Sequence, residues 1–392
     1  MSSWNDWIGE ELHELDVLQL KRECMPVRNA QLPVLSWNGK KMFNFSSNNY
    51  LGLAAHPKLK EAICRGTVAG SGGVASRLII GHSEETELLE REIARFKKTE
   101  KALLFPNGYM ANVGMLTALV TSKDAVFSDQ YNHASIVDGI RLSGARLFRY
   151  RHLDLNHLEK RLKSADQKGV RHKLIITDSV FSMDGDVAPL RELVRIKEKY
   201  GAALVIDEAH GAGVFGPRGQ GMAHELGVHE EIDLHMGTFS KAFGVYGAYV
   251  AGKKEWISLL VNRARSLIYT TALPPAIVSA NRMALRLVTQ ADQRRGELKE
   301  KTVWFRKQLM QKGFAVGNSS TQIIPLYLGE NARALAFSES LRQRGVFALA
   351  IRPPTVPVHT ARLRFSLMAN HSWEQLEQTL GYIEQVNKTM RR

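Results

Sequence analysis

Cysteine is nearly missing from this chain: two residues in 392, Cys24 and Cys64. They form neither a disulfide framework nor a metal-ligand spacing, so a reduced, cytosolic setting is expected and no metal. Long hydrophobic runs are missing too. No stretch approaches the roughly 20 apolar residues of a membrane helix. The opening Met1-Ser2-Ser3-Trp4-Asn5-Asp6 lacks the basic-then-apolar layout of a signal peptide. The expectation is a cytoplasmic protein with no membrane partner. There is no internal repeat and no low-complexity tract. Acidic residues are the scarcer charge, 39 against 53 Lys and Arg, a formal balance of +14. That excess invites a nucleic-acid reading. The basic residues are dispersed, however: Arg91, Arg95, Lys97, Lys98 and Lys101 are interleaved with Glu90, Glu92 and Glu100, as on a solvated helix face. A generally basic surface is preferred to a nucleic-acid groove, and it would also suit an anionic substrate or an acidic carrier protein.

What is present is alternation. Strand-like runs at Ala102–Phe105, Ala125–Ser128, Arg146–Tyr150, Lys173–Thr177, Ala202–Ile206, Leu234–Thr238 and Tyr246–Ala251 are separated by helical patterns such as Leu190–Tyr200. Such alternation predicts βαβ units, an α/β fold with a mostly parallel sheet under helices. Before it, residues 1–45 read as an N-terminal arm, with Trp7, Leu12, Leu15 and Leu18 on one helix face and a strand near Met42–Phe45. The large domain is expected at 46–285. After Pro274-Pro275 one long helical stretch is predicted from Ala276 to Lys312. Residues 286–392 then read as a small α+β domain, with strands near Gln322–Leu328, Ala348–Ile351 and Ala361–Met368. It closes on Ser372-Trp373-Glu374-Gln375, a capping box, with Leu376, Leu380, Ile383 and Val386 along one helix face.

Two segments carry the chemistry. Asp207 stands at the tip of the buried run Ala202–Ile206, and Lys241 ends Thr238-Phe239-Ser240-Lys241 amid small and hydroxyl residues. A lysine and an aspartate presented this way suit pyridoxal phosphate: the lysine joins the cofactor as a Schiff base, and the carboxylate keeps the pyridine nitrogen protonated. Asn107-Gly108-Tyr109 follows a strand and opens a helical run, an anion site for the phosphate. Ser182, Thr238, Thr270 and Thr271 are further candidate donors. His133, shortly after a strand, would face the cleft at the sheet's carboxyl edge; stacking on the cofactor ring and an ordinary hydrogen-bonded buried histidine are equal readings. His210 can reach the same cavity. Asp207-Glu208-Ala209-His210 also spells the DEAH box of some helicases. An NTPase of that class needs a phosphate-binding loop, and the nearest match, Gly247 to Gly252-Lys253-Lys254, has lysine in place of the hydroxyl and follows the acidic box.

Six blocks taken together carry a resemblance: Asn44-Phe45-Ser46-Ser47-Asn48-Asn49-Tyr50-Leu51-Gly52-Leu53, Gly70-Ser71-Gly72-Gly73, Phe181-Ser182-Met183-Asp184-Gly185-Asp186, Asp207 to Gly211, Thr238 to Lys241, and Tyr269-Thr270-Thr271. They are similar to the α-oxoamine synthases, a branch of the fold-type I, aspartate aminotransferase-like pyridoxal-phosphate enzymes. That family condenses an amino acid with an acyl thioester and releases carbon dioxide. The resemblance implies catalytic roles for Lys241, His133 and Asp207. Lys241 would be the Schiff-base lysine, Asp207 the partner of the ring nitrogen, and His133 would stack on the ring. His210 would contact the phenolic oxygen, and Gly108, Tyr109, Ser182 and Thr238 would meet the cofactor. Thr270 and Thr271 would reach its phosphate across a subunit interface, which implies a homodimer with shared active sites. The segment Ala350 to Pro357 with Thr360 to Arg364 most resembles the branch that uses L-alanine and a pimeloyl thioester, on coenzyme A or acyl carrier protein. Arg352 would then pair with the amino-acid carboxylate, while Arg22, Asn48, His133 and Thr355 would help bind substrate. The alternative within the family condenses glycine with acetyl-CoA. The segment Gly73-Val74-Ala75-Ser76-Arg77 is longer than the glycine-to-serine spacing the family leads one to expect, which leaves Ser76 and Arg77 without a role.

Overall fold

Apolar runs buried on both faces build the central sheet in the computed structural model, which describes residues 3–391. Its strands are β1 (Lys101–Phe105), β2 (Ala125–Asp129), β3 (Arg146–Tyr150), β4 (Lys173–Asp178), β5 (Ala203–Asp207), β6 (Leu234–Thr238) and β7 (Ala248–Gly252). They lie in the order β1-β7-β6-β5-β4-β2-β3. β7 runs antiparallel to both neighbours, and every other pairing is parallel. Val126, Ile176, Val205, Met236 and Val250 pack on one face against Met115, Leu116, Ile136, Ile140 and Leu260 of helices Gly108–Leu119, Ala134–Ser143 and Lys254–Arg263. The alternate residues Phe127, Ile175, Leu204, Ile206 and Tyr249 are equally buried. A sheet covered on both sides needs continuous rather than alternating hydrophobicity, and the strands read that way. β2, β4, β5 and β6 end together on Asp129, Asp178, Asp207 and Thr238, and Asp178 sits opposite Asp207 in register.

The chain forms two compact units. One holds this sheet and comprises Asn48–Ser182 and Asp186–Glu297. The other comprises the chain up to Ser47, Met183–Gly185 and the chain from Leu298. In the second unit Val34–Trp37 pairs antiparallel with Lys40–Asn44, and Val346–Phe347 adds to the latter in parallel. Ala361–Ser366 lies between Ile323–Gly329 and Ala350–Ile351, antiparallel to both. The C-terminal capping box forms: Ser372 Oγ accepts from the Gln375 amide at 3.1 Å, and Gln375 Oε1 accepts from the Ser372 amide at 3.0 Å. Helix Trp373–Arg391 follows, with Leu376, Leu380, Ile383 and Val386 buried.

Two expectations change. The long stretch after Pro274 is two helices, Pro275–Thr289 and Asp292–Gln311. The Thr289 hydroxyl donates to the Leu285 carbonyl at 2.7 Å, competing for the last turn, and Gln290 leaves helical geometry at φ −103°, ψ 8°. The arm helix, Trp4–Val17, is capped by Ser3 and Asp6, but it buries none of its apolar face. Among the described residues no helix is long and apolar enough to cross a membrane.

Candidate active site

Three strand ends and two helix starts converge on Asp207. Its carboxylate is 3% exposed; Oδ1 accepts from the Ala209 amide at 2.8 Å and Oδ2 from Asn112 Nδ2 at 2.8 Å. Asn112 lies one turn into helix Gly108–Leu119 and also donates to Ser135 Oγ at 2.9 Å. Ser135 Oγ is 2.7 Å from His133 Nδ1. His133 caps helix Ala134–Ser143, and its own amide donates to Asp178 at 2.8 Å. Burial and the Lys241 charge hold His133 below the ordinary imidazole value, against the pull of Asp207. Asp178 is driven well above the ordinary carboxyl value by burial and by the Asp207 charge beside it.

Lys241 sits in the turn between β6 and β7. The turn is pinned by Phe239 and Phe243, both fully buried, with ring centroids 5.2 Å apart. The Gly244 amide closes it onto the Lys241 carbonyl at 2.9 Å. Gly244 has φ +72°, and a Cβ there would stand 2.4 Å from the Ala54 nitrogen, so the turn requires glycine. The Thr238 hydroxyl donates to the Gly247 carbonyl at 2.9 Å and accepts from the Ser240 amide at 3.1 Å, which ties the lysine turn to the strand end.

The other predicted residues of this unit have contacts of their own. Asn107 Oδ1 caps helix Gly108–Leu119 through the Met110 amide at 2.9 Å, leaving Gly108 at the first helical position. A Cβ on Gly108 would meet only Met236, at 3.7 Å. Tyr109 is half-exposed and donates to Asp138 at 2.7 Å, which raises the phenol above its usual value. His210 is buried, with Nδ1 2.6 Å from the Tyr50 hydroxyl, which also donates to Asn48 Oδ1 at 3.0 Å. Ser182 follows Phe181, a buried residue beyond the β4 end. Thr271 is bridged to Ser76, and Thr270 and Thr271 line a small cleft with Arg77 and Pro106. Arg77 donates to Glu90 at 2.7 Å and to the Leu104 carbonyl at 3.0 Å, and stands 2.6 Å from His82 Nδ1. Its guanidinium thus fills the cluster of His82, Glu87 and Glu90, groups that otherwise lie close enough to hold a metal ion.

Arg22, Arg352 and Thr355 belong to the second unit and come together there. Arg22 donates to Thr355 Oγ1 at 3.2 Å, and Arg352 donates to the Gln19 and Lys21 carbonyls. Burial and the neighbouring Arg22 charge lower Arg352 from the ordinary guanidinium value. Two guanidinium groups held this way favour an anion between them.

Sequence reading missed four residues of the network: Tyr50, Asn112, Ser135 and Asp178. Asn112 left a trace, a lone amide among Met110, Ala111, Val113 and Met115. It also misread Lys97 and Glu90, placed on a solvated face: both are buried, and Lys97 bonds Glu208. The DEAH reading falls with that finding. Glu208 is held by Lys97 and the Ala223 amide, and the segment compared with a phosphate loop is strand β7.

The model of the family described as "Aminotransferase class I and II" matches residues 40–383. A Bacillus cereus protein named "Putative 8-amino-7-oxononanoate synthase" is 47% identical over 388 residues, 98% of each chain. The chain belongs to the α-oxoamine synthase family of fold-type I pyridoxal-phosphate enzymes. Among solved α-oxoamine synthases, 8-amino-7-oxononanoate synthase from Francisella tularensis superposes with a TM-score of 0.78 at 31% identity, covering 90% of this chain and 99% of that one. A serine palmitoyltransferase from S. paucimobilis, solved with a bound pyridoxal-phosphate adduct of myriocin, superposes with a TM-score of 0.91 at 29% identity, covering 98% of this chain and 97% of that one. This chain is an enzyme, and its cofactor is pyridoxal 5'-phosphate. The residues fit that group. A buried carboxylate stands ready for a protonated ring nitrogen, the open backbone at Gly108 heads a 12-residue helix suited to a phosphate, and a neutral imidazole lies beside the carboxylate.

Proposed function

We propose that this enzyme condenses L-alanine with a pimeloyl thioester, on coenzyme A or acyl carrier protein, to give 8-amino-7-oxononanoate, carbon dioxide and the free thiol. The observation that carries this reading is the 47% identity to the Bacillus cereus protein over 98% of both chains. The Arg352-Pro353-Pro354-Thr355 segment and its pairing with Arg22 support it.

Bound pyridoxal phosphate supplies an electron sink for the amino acid's α-carbon. Asp207, fixed by Asn112 and Ala209, holds the proton at the ring nitrogen. Lys241 holds the cofactor at rest and takes the α-proton on Nζ when displaced. Gly108 and the helix it heads, with Ser182, would hold the phosphate end, and His210 would meet the phenolic oxygen; the Thr238 hydroxyl, its proton given to the Gly247 carbonyl, holds the lysine turn instead. His133 would stack on the ring of the bound cofactor and donate a hydrogen bond to the thioester carbonyl. The new carbon–carbon bond joins that carbonyl carbon to the α-carbon, and the carbon–sulfur bond breaks with the thiol leaving. The bond to the carboxylate then breaks and releases carbon dioxide, and a proton returns to the α-carbon. In the second unit Arg352, with Arg22 and Thr355, would receive the substrate carboxylate, an anion competing with the Gln19 and Lys21 carbonyls for Arg352.

The working form is a homodimer. Val68, Val74, Ile79 and Ile80 are 91, 85, 75 and 74% exposed, an apolar patch beside the Thr271–Ser76 bridge that supports a second copy covering it.

The backbone likeness to serine palmitoyltransferase favours a second reading, serine with a long acyl thioester. One assay separates the readings. Alanine, glycine and serine are each crossed with pimeloyl-, acetyl- and palmitoyl-thioesters, and thiol release is followed. Release is expected with alanine and the pimeloyl thioester. Release only from glycine with acetyl-CoA, or only from serine with palmitoyl-CoA, would replace the proposal.

A further inference from the structure

Asn112 is 1% exposed and Ser135 is wholly buried, so each must find its hydrogen-bond partners inside the protein. Both N–H groups of the Asn112 amide are used: one meets Asp207 Oδ2 at 2.8 Å, the other Ser135 Oγ at 2.9 Å. Its carbonyl oxygen is buried without a hydrogen-bond partner. Turning the amide over would give that oxygen a donor in Ser135 but set it against the Asp207 carboxylate. The carboxylate charge therefore selects the orientation and leaves the carbonyl unpartnered. Ser135 Oγ, having accepted from Asn112, keeps its single proton, and His133 Nδ1 lies 2.7 Å away. The Ser135 amide points at the same nitrogen from 3.3 Å. Two donors converge on Nδ1, so in a neutral ring the proton must sit on Nε2.

We propose that Asn112 and Ser135 are positioning residues, a hydrogen-bond relay from Asp207 to His133 that fixes His133 as the Nε2–H tautomer. No proton travels along it. The Asp207 charge orients an amide, the amide orients a hydroxyl, and the hydroxyl orients an imidazole. One carboxylate thereby serves two ends of the reaction: it faces the ring nitrogen directly, and through the relay it leaves the His133 N–H free to donate. This rests on the proposed roles of Asp207 and His133, but the tautomer is a property of the protein alone.

The test labels histidine with nitrogen-15 and reads the His133 ring nitrogens by NMR near neutral pH, with and without cofactor, assigning the signals by their loss in His133→Asn. Wild type is expected to show Nε2 protonated and Nδ1 bare. Ser135→Ala should give a mixture of tautomers, and Ser135→Thr, which keeps the hydroxyl, should restore the single form. Asn112→Leu should also mix the tautomers, and combining it with Ser135→Ala should add little, since both cut one chain. In turnover, Ser135→Ala should lower kcat about tenfold with KM for the amino acid unchanged. A wild-type His133 protonated at Nδ1, or a tautomer unmoved in Ser135→Ala, overturns the relay. Failure of every thioester in the condensation assay would overturn the substrate reading and leave the NMR result standing.

Discussion

Lys97 is fully buried, paired with Glu208 and 2.5 Å from the Gln220 carbonyl. Lys98 and Glu100 beside it are exposed, but Lys97 continues the buried face of helix Glu84–Lys97 set by Leu89, Ile93 and Ala94, so the helical period turns it inward and only its partner is left open. Glu208 directly follows Asp207, and the ion pair braces the strand end that presents the Asp207 carboxylate. Removing one partner strands the other in a dry interior. Lys97→Met should cost about 3–5 kcal/mol, read as a lower denaturant midpoint. Lys97→Met with Glu208→Gln should recover a large part of that loss, because the glutamine still accepts from the Ala223 amide. An unchanged midpoint in the single variant would contradict the account.

At the scale of elements, the end of β2 and the loop beyond β4 are joined by one histidine. His152 contacts Asp129 at 2.9 Å and Asp186 at 2.7 Å. Burial pushes it down, but the two carboxylates outweigh burial and raise it to about 9. The folded value lies above the ordinary 6.5, so its contribution is complete below about pH 6.5 and disappears as pH rises through about 9. Two other histidines act oppositely. Burial, with the Lys301 charge, lowers His371 to about 4, and burial with the Lys97 charge lowers His224 to about 2. What they contribute is complete above pH 6.5 and is lost as pH falls below it. The unfolding midpoint should therefore decline at both ends. His152→Leu should flatten the alkaline limb and leave the acid limb unchanged; an alkaline limb of unaltered slope would refute the assignment.

For the whole molecule, the exposed arm helix and the patch at Val68–Ile80 are surfaces that a lone chain does not bury. The proposed homodimer predicts that Ile79→Asp with Ile80→Asp sediments as a monomer, keeps its far-ultraviolet circular dichroism and loses turnover. A dimer of undiminished activity would move the interface elsewhere. The family relation extends over nearly the full length of the chain, in keeping with motif blocks spread from Asn44 to Arg364.

By itself the sequence determined the α/β class, the seven strands of the central sheet within a residue or two and the C-terminal capping box, and it singled out Asp207 and Lys241 as the proposed cofactor pair. These depend on local periodicity, on cap chemistry and on residue types that serve few other purposes at strand ends. Only the tertiary structure decided that Asn112, Ser135 and Asp178 surround Asp207, that Lys97 meets Glu208, and that Arg22 reaches Thr355. Each joins positions far apart in the chain, and a buried hydrogen bond or ion pair has no period to betray it. Burial alone makes such a partner obligatory, and burial is a property of the folded chain.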